Sequence, residues 1–468
     1  MRKFFSIFGL LLTLSANAQH WDTLRGGIGD WSVRVMYADT FDNYLYAAGM
    51  FNVADGKHCK GIARWDGTQW DSLGRGIDGL DPNTYPQNTH AITRYNNELY
   101  VGGDFASAGN VSTPCLAKWN GSTWDSLSVK PFASNWNEAI LTLAPINGKL
   151  YIGGIFDTVA GIPCEGIAQW NGTNWSSINF PFFQNAPSVN AIAEYNGELY
   201  AAGEFCNTIG DTISNILRWN GSTWRSVGGG IKGAWTGISS MVVYNGELYV
   251  AGAFFQSDGN AGSNIQKWNG TSWSNVGGST GGGNGQIIQI FICNGKLYAV
   301  GDFTIAGGIP AEYIASWDGT NWCGLGSTFD NLIGTGCEYK DTLFVGGGFQ
   351  TIDGDTIIHI AQWIGGNYTA VCGNTTGLQE NNLPDFSMQV FPNPANDLLS
   401  IKLKNVSEKH FDIKIVDVLG QTMIEKKEED VSGNFEKQVD ISTLSEGIYM
   451  VIVSVGEKKS VERIVVQR

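Results

Sequence analysis

The loops between repeated segments carry aromatic residues outside the repeat pattern: Trp31, Tyr85, Trp136, Phe182, Phe183 and Trp235. A flat aromatic side chain offers a large apolar face, and Tyr and Trp add a polar handle. On loops, such residues can stack sugar rings or peptide groups. They are the candidate ligand-binding residues, and the competing role is to plug a channel or cover loop backbone. The acidic residues Asp78, Asp81, Asp353 and Asp355 are a second set. Loop carboxylates can bind calcium or, as a pair, cleave a glycosidic bond. Asp353-Gly354-Asp355 reads more simply as a turn. The histidines (His20, His58, His90, His359 and His410) fall in no metal-binding spacing. Gly228-Gly229-Gly230 and Gly281-Gly282-Gly283 lack the Lys-Ser/Thr of a phosphate loop and read as flexible loops. These residues imply no catalytic group, no metal and no cofactor.

The elements that would position the aromatics are repeated. Leu-aromatic, two small or apolar residues, Gly, any residue and Phe recur from Leu45, Leu99, Leu150, Leu199, Leu248, Leu297 and Leu343. A period near 50 residues means stacked supersecondary units. A second phrase, Trp-Asp/Asn-Gly-x-x-Trp, follows at Trp65, Trp119, Trp170, Trp219, Trp268 and Trp317. Its seventh copy has drifted to Trp363-Ile364-Gly365-Gly366-Asn367-Tyr368. In one unit, Ala191 to Tyr195, Leu199 to Gly203, Ile216 to Trp219 and Trp224 to Val227 read as four strands. Asn196-Gly197 supplies the tight turn between the first two. One such sheet cannot cover both its faces, whereas sheets arranged radially cover one another. The expected fold is all-β: a seven-bladed β-propeller of four-stranded antiparallel blades over residues 19–372, then a small C-terminal β-sandwich. The tight turns lie on one face. The longer second-to-third and fourth-to-first connections, with the unpatterned aromatics, lie on the other, where function usually resides. Trp21-Asp22-Thr23-Leu24 copies a fourth strand and could close the ring, in competition with Tyr368 to Val371.

Composition narrows the function. With 62 glycines and 17 tryptophans, the chain suits many short strands and is not disordered. The net charge of −15 lies in the repeat region and excludes a nucleic-acid partner, which requires a basic surface. Arg2 and Lys3, the apolar run Phe4 to Leu14 and Ala16-Asn17-Ala18 form a signal peptide over residues 1–18. That run is too short to span a bilayer, which takes about 20 apolar residues, and no integral membrane segment follows. Export permits disulfides, but the spacing of the eight cysteines selects no pairing.

The Leu-Tyr-x-Gly-Gly strands, such as Leu99-Tyr100-Val101-Gly102-Gly103, and the spaced tryptophans resemble the kelch-type propeller family over Trp21 to Val371. The second Gly is constant here, while the first is often Ala or Val, as at Ala48, Ala202, Ala251 and Val300. Asp-Ser/Thr-aliphatic triplets such as Asp71-Ser72-Leu73 resemble the O-glycosylation signal of exported Bacteroidetes proteins.

After a polar linker over residues 373–385, tryptophan vanishes and Lys and Glu rise. Residues 386–468 contain Val390-Phe391-Pro392-Asn393-Pro394-Ala395, a turn from Asp417 to Gly420, and Gly447-Ile448-Tyr449 before a last strand. These residues look like the C-terminal sorting domain of type IX secretion, with Pro392, Asn393, Pro394, Gly420, Gly447 and Tyr449 at its motif positions. The resemblance implies the secretion machinery as a partner. It also implies cleavage of the tail between Gly377 and Phe386, then release or anchoring to surface lipopolysaccharide. The chain reads as a non-catalytic binding or adhesion protein, secreted or on the outer-membrane surface, with a glycan or surface-protein ligand. The alternatives are a polysaccharide-acting enzyme and a structural surface component.

Overall fold

The computed structural model describes residues 21–79, 88–127, 138–181, 187–205, 215–232, 237–365, 371–372, 387–406, 410–417, 421–429, 433–455 and 458–468. The signal peptide and the linker expected from sequence lie outside them. The chain divides into two compact units, Met1–Asn374 and Thr375–Arg468.

In the first unit, each repeat folds as a four-stranded antiparallel meander. One runs Ala139–Ile146, Lys149–Ile155, Ile167–Trp170 and Trp175–Ser177, in that order. Sheets beginning at Ser32–Ala38, Asn88–Tyr95, Ser188–Tyr195, Gly237–Tyr244, Gln286–Cys293 and Ile333–Tyr339 follow the same plan. These innermost strands touch their neighbours in chain order, and Ile333–Tyr339 returns to Ser32–Ala38. The arrangement is propeller-like. At the first turn, Asn147 and Gly148 have φ of 50° and 74°, the left-handed pair of a type I′ turn. At the second, the Asn120 side-chain oxygen accepts from the backbone N–H of Ser122 and Thr123, both at 2.9 Å.

The constant glycine has a steric cause. Each innermost strand carries a bulge near its start, as between Val189 and Ala191. The bulge presses a carbonyl against the second strand. A Cβ on Gly203 would lie 1.8 Å from the Ser188 oxygen, and one on Gly154 would lie 2.0 Å from that of Ala139. The preceding position lacks this backbone clash and admits Ala or Val.

Two polar stitches join neighbouring sheets. In most sheets the fourth-strand indole donates to a carbonyl just past the fourth strand of the preceding sheet, whereas Trp21 donates to Ser327 Oγ at 3.0 Å and Trp175 has no partner among the described residues. Trp124 Nε1 reaches Leu73 O at 2.7 Å, Trp224 reaches Ile178 O at 2.9 Å and Trp322 reaches Val276 O at 2.8 Å. A tyrosine ending the innermost strand donates forward to the next hairpin turn. Tyr95 Oη reaches Gly148 O at 3.0 Å, and Tyr195 reaches Gly246 O and Tyr244 reaches Gly295 O, both at 3.1 Å. The indole bonds sit beside an apolar seam such as Leu99, Val101, Phe105 and Trp124, and the tyrosine bonds are half-buried.

The last sheet takes its outer strand from the start of the unit. Trp21–Thr23 pairs antiparallel with Ile360–Trp363, and Tyr339 Oη donates to Asn43 O at 2.6 Å across the same junction. Of the rival segment only Val371 falls among the described residues, and it goes elsewhere. Val371–Cys372 adds a fifth strand beyond Trp322–Gly324, and Cys323 and Cys372 form a disulfide. Cys59, Cys115, Cys164 and Cys293 are buried free thiols. The second-to-third connections are less diverse than the sequence suggests. Several hold one small ladder, as at Thr158–Val159 with Ile162–Pro163 and at Ile305–Ala306 with Ile309–Pro310.

The second unit has two antiparallel sheets. One orders Ser387–Phe391, Leu398–Val406 and Gly433–Asp440. The other orders Thr422–Glu429, His410–Asp417, Gly447–Val455 and Lys458–Val466. Alternate residues of both, including Leu399, Ile401, Ile413, Ile415, Val451 and Val453, share one core.

Gly203→Ala forces the Ser188 carbonyl aside and should destabilise the first unit by about 1–3 kcal/mol. In urea unfolding, Ala202→Gly should cost less, about 0.5–1 kcal/mol. Equal losses would contradict the steric reading.

Candidate functional site

The innermost strands surround a cavity of about 770 Å³. It is bounded by residues near the start of each strand, including Arg34, His90, Leu141, Asn190, Ser239, Ile288 and Gly334. These seven occupy one register position, the bulge near the start of each strand. A strand's start is where the fourth-to-first connection arrives, so the cavity lies on the long-loop side.

Most polar groups in the wall already have partners in the next sheet. Asn190 Nδ2 donates to Ile238 O at 2.9 Å, and Ser239 Oγ to Ile287 O at 2.7 Å. Gln289 Oε1 accepts from Gly336 N at 2.8 Å, and Thr335 Oγ1 from Met36 N at 3.2 Å. Arg34 and Asn331 differ in being exposed within the cavity. His90 stands beside them, its Nε2 at 3.9 Å from Asp104 Oδ1. Burial, with the Arg34 charge second, pushes the His90 imidazole down to about 4. Burial likewise raises the Asp104 carboxyl, whose Oδ2 accepts from Asn88 Nδ2 at 3.2 Å.

Trp31 sits at the edge of this site. It is 66% exposed and immediately precedes Ser32, a lining residue. Tyr85, Trp136, Phe182, Phe183 and Trp235 lie outside the described residues. The strands they lead into begin at Asn88, Ala139, Ser188 and Gly237. The acidic candidates have local roles. Asp78 pairs with Lys60 at 2.6 Å, and Asp353 Oδ1 accepts from Thr328 N at 2.7 Å in the turn between Thr351–Ile352 and Asp355–Thr356. Asp81 lies outside the described residues. His359 Nδ1 lies 2.7 Å from Ile28 O, at the junction of last and first sheets. Among the described residues no cluster of three or more His, Cys, Asp and Glu could hold a metal ion. Sequence reasoning missed Arg34 and His90. The available signal was their shared register position in a repeat that otherwise places neutral residues there.

In the second unit the tail motif packs on the final strand. Asn393 Oδ1 accepts from Val465 N at 2.8 Å, between Pro392 and Pro394, and Ala395 N donates to Val465 O at 2.8 Å. Gly447 pairs with Val466, and buried Tyr449 donates from Oη to Ser445 O at 3.0 Å. Gly420 lies outside the described residues. The unit has the make-up of an export module. Residues 389–467 match the family described as the secretion system C-terminal sorting domain. The protein is therefore exported by type IX secretion to the cell surface or extracellular space, with that machinery as a partner. No helix among the described residues is long and apolar enough to cross a membrane.

No curated protein matches the chain. Among solved structures, the Bacteroides ovatus xyloglucan PUL GH43B aligns at 12% identity and TM-score 0.28, covering 83% of this chain and 90% of that one. A Clostridium thermocellum α-L-arabinofuranosidase aligns at 13% identity and TM-score 0.26, covering 52% and 89%. A Bacillus subtilis family 43 arabinoxylan arabinofuranohydrolase aligns at 11% and 0.25, covering 95% and 99%. Likeness at this level assigns no activity.

His90 should remain neutral at pH 5, with its ring resonances titrating near 4 in NMR. Because its folded pKa lies below the unfolded value of about 6.5, the unfolded chain takes up the proton first. Its contribution to stability is full above about pH 6.5 and falls as pH drops toward 4. Titration near 6.5 would show that the imidazole is hydrated and the cavity wall loose.

Proposed function

We propose that this protein is an extracellular, non-catalytic binding or adhesion module. Its ligand is a glycan or a surface protein, met on the long-loop face of a seven-bladed, kelch-like β-propeller. The observation that carries this reading is the open cavity on that side, with exposed Trp31 at its edge. The patterned tryptophans are largely buried between sheets. An exposed Trp beside a polar cavity is suited to stacking a sugar ring against one face while hydroxyls meet the wall. Residues 1–18 leave as a signal peptide. The C-terminal β-sandwich, residues 386–468, directs export and is then removed, leaving the propeller released or attached to surface lipopolysaccharide.

The purified protein on a glycan array should bind a restricted set of saccharides. The triple variant Trp31→Ala, Trp136→Ala, Trp235→Ala should lose at least about tenfold in affinity. A well-folded protein that binds no glycan would redirect the search to protein ligands. Release of reducing sugar from a bound saccharide would make it an enzyme instead.

Intact-mass measurement of protein recovered from the medium or cell surface should place the new C-terminus between Gly377 and Phe386. An extracellular chain still ending at Arg468 would contradict removal of the tail.

A further inference from the structure

The cavity has a charge opposite to that of its protein. The chain carries a formal net charge of −15. Among the described residues lining the cavity there is no Asp or Glu, and Arg34 is the one permanently charged side chain. His90, the other titratable group there, is neutral at physiological pH. Asp104, beside His90, feels the Arg34 charge without forming an ion pair with it.

Other arginines of this unit show what pairing looks like. Arg64 reaches Asp71 at 2.8 Å, Arg218 reaches Glu198 at 3.0 Å, and Arg94 is held by Asp39 and Asp42. Arg34 has no carboxylate within ion-pairing distance among the described residues. Its bond there is from Nη2 to the Met50 thioether sulfur at 3.3 Å, a weak acceptor. The planar guanidinium therefore keeps donors free on the cavity side, in the fork geometry that fits a carboxylate. Neutral His90 and exposed Asn331 flank it as hydrogen-bonding groups, and Trp31 adds a stacking face next to Ser32. The volume falls within the range of small-ligand sites, roughly 300–1,000 Å³.

We infer that this cavity binds an acidic saccharide, with the sugar carboxylate seated on Arg34, its hydroxyls on Asn331 and His90, and its ring face against Trp31. The inference rests on the binding reading above and narrows it to carboxylated glycans. Neutral sugars leave the guanidinium without its anion. Sulfate and phosphate also fit a guanidinium fork, so binding confined to sulfated or phosphorylated saccharides printed on the same array would overturn the inference.

The test uses the full chain and an array of uronic- and sialic-acid-terminated oligosaccharides. Each is printed beside its carboxyl-reduced neutral counterpart, with peptides bearing free C-termini on the same slide. Binding should be confined to carboxylated saccharides. Titration of the strongest should show a Kd raised about tenfold or more by Arg34→Gln. Arg34→Lys, which keeps the charge but not the fork, should fall between. Both variants should melt with the wild type, which separates lost binding from lost fold. Equal binding of acids and neutral counterparts, or an Arg34→Gln variant that binds as the wild type does, would overturn the inference and leave glycan binding intact. Binding of the peptides alone, or of nothing, would overturn both.

Discussion

A four-stranded sheet with apolar residues on both faces cannot be stable alone, and the first unit is organised around that constraint. Each sheet gives one face to the sheet before it and the other to the sheet after. The two stitches follow the same polarity. The fourth-strand indole reaches back and the innermost tyrosine reaches forward, so position and tilt are fixed at both the rim and the centre. A buried indole or phenol without a partner is costly, and a bond of this kind contributes about 1 kcal/mol net. Their larger effect is on specificity, since each donor is aimed at a carbonyl of the neighbouring sheet.

Much of this architecture is legible in the residues. The Leu-Tyr phrase, the Asn-Gly turns and the paired tryptophans locate the strands, because each reports a local requirement for burial or positive φ. The constant second glycine, visible as a pattern, gains its reason only from the bulge that drives Ser188 O toward Gly203. Ring closure was not readable. Trp21–Thr23 and Tyr368 to Val371 are similar as strands, and what separates them is the Cys323–Cys372 pairing on a different sheet. The small ladder at Thr158–Val159 was also missed, since two-residue strands carry no periodicity.

The cavity site was less legible still. Arg34, His90 and Asn331 come from three different sheets, at positions separated by 56 residues or far more, and they obey no motif. What makes Arg34 distinctive is that no carboxylate pairs with it among the described residues, a property of assembled surroundings and not of neighbouring sequence. Of the aromatic set that escapes the repeat, Trp31 alone falls among the described residues. In the tail, by contrast, motif and structure coincide: Asn393 and Tyr449 each make a local bond that explains their type.

The pairing of Trp21–Thr23 with Ile360–Trp363 has a consequence for the order of events in biogenesis. The first strand to emerge from synthesis has no partner until some 340 residues later, when the last repeat is complete. Closing so long a loop costs entropy that no local contact offsets, and contacts of such range are the slow ones in folding. Trp21 stands three residues after the expected signal-peptide boundary, so a retained leader would hang from the strand that must slot into the final sheet. A chain that lacks Trp21–Thr23 is left with an open edge at Ile360–Trp363, available to the wrong neighbour.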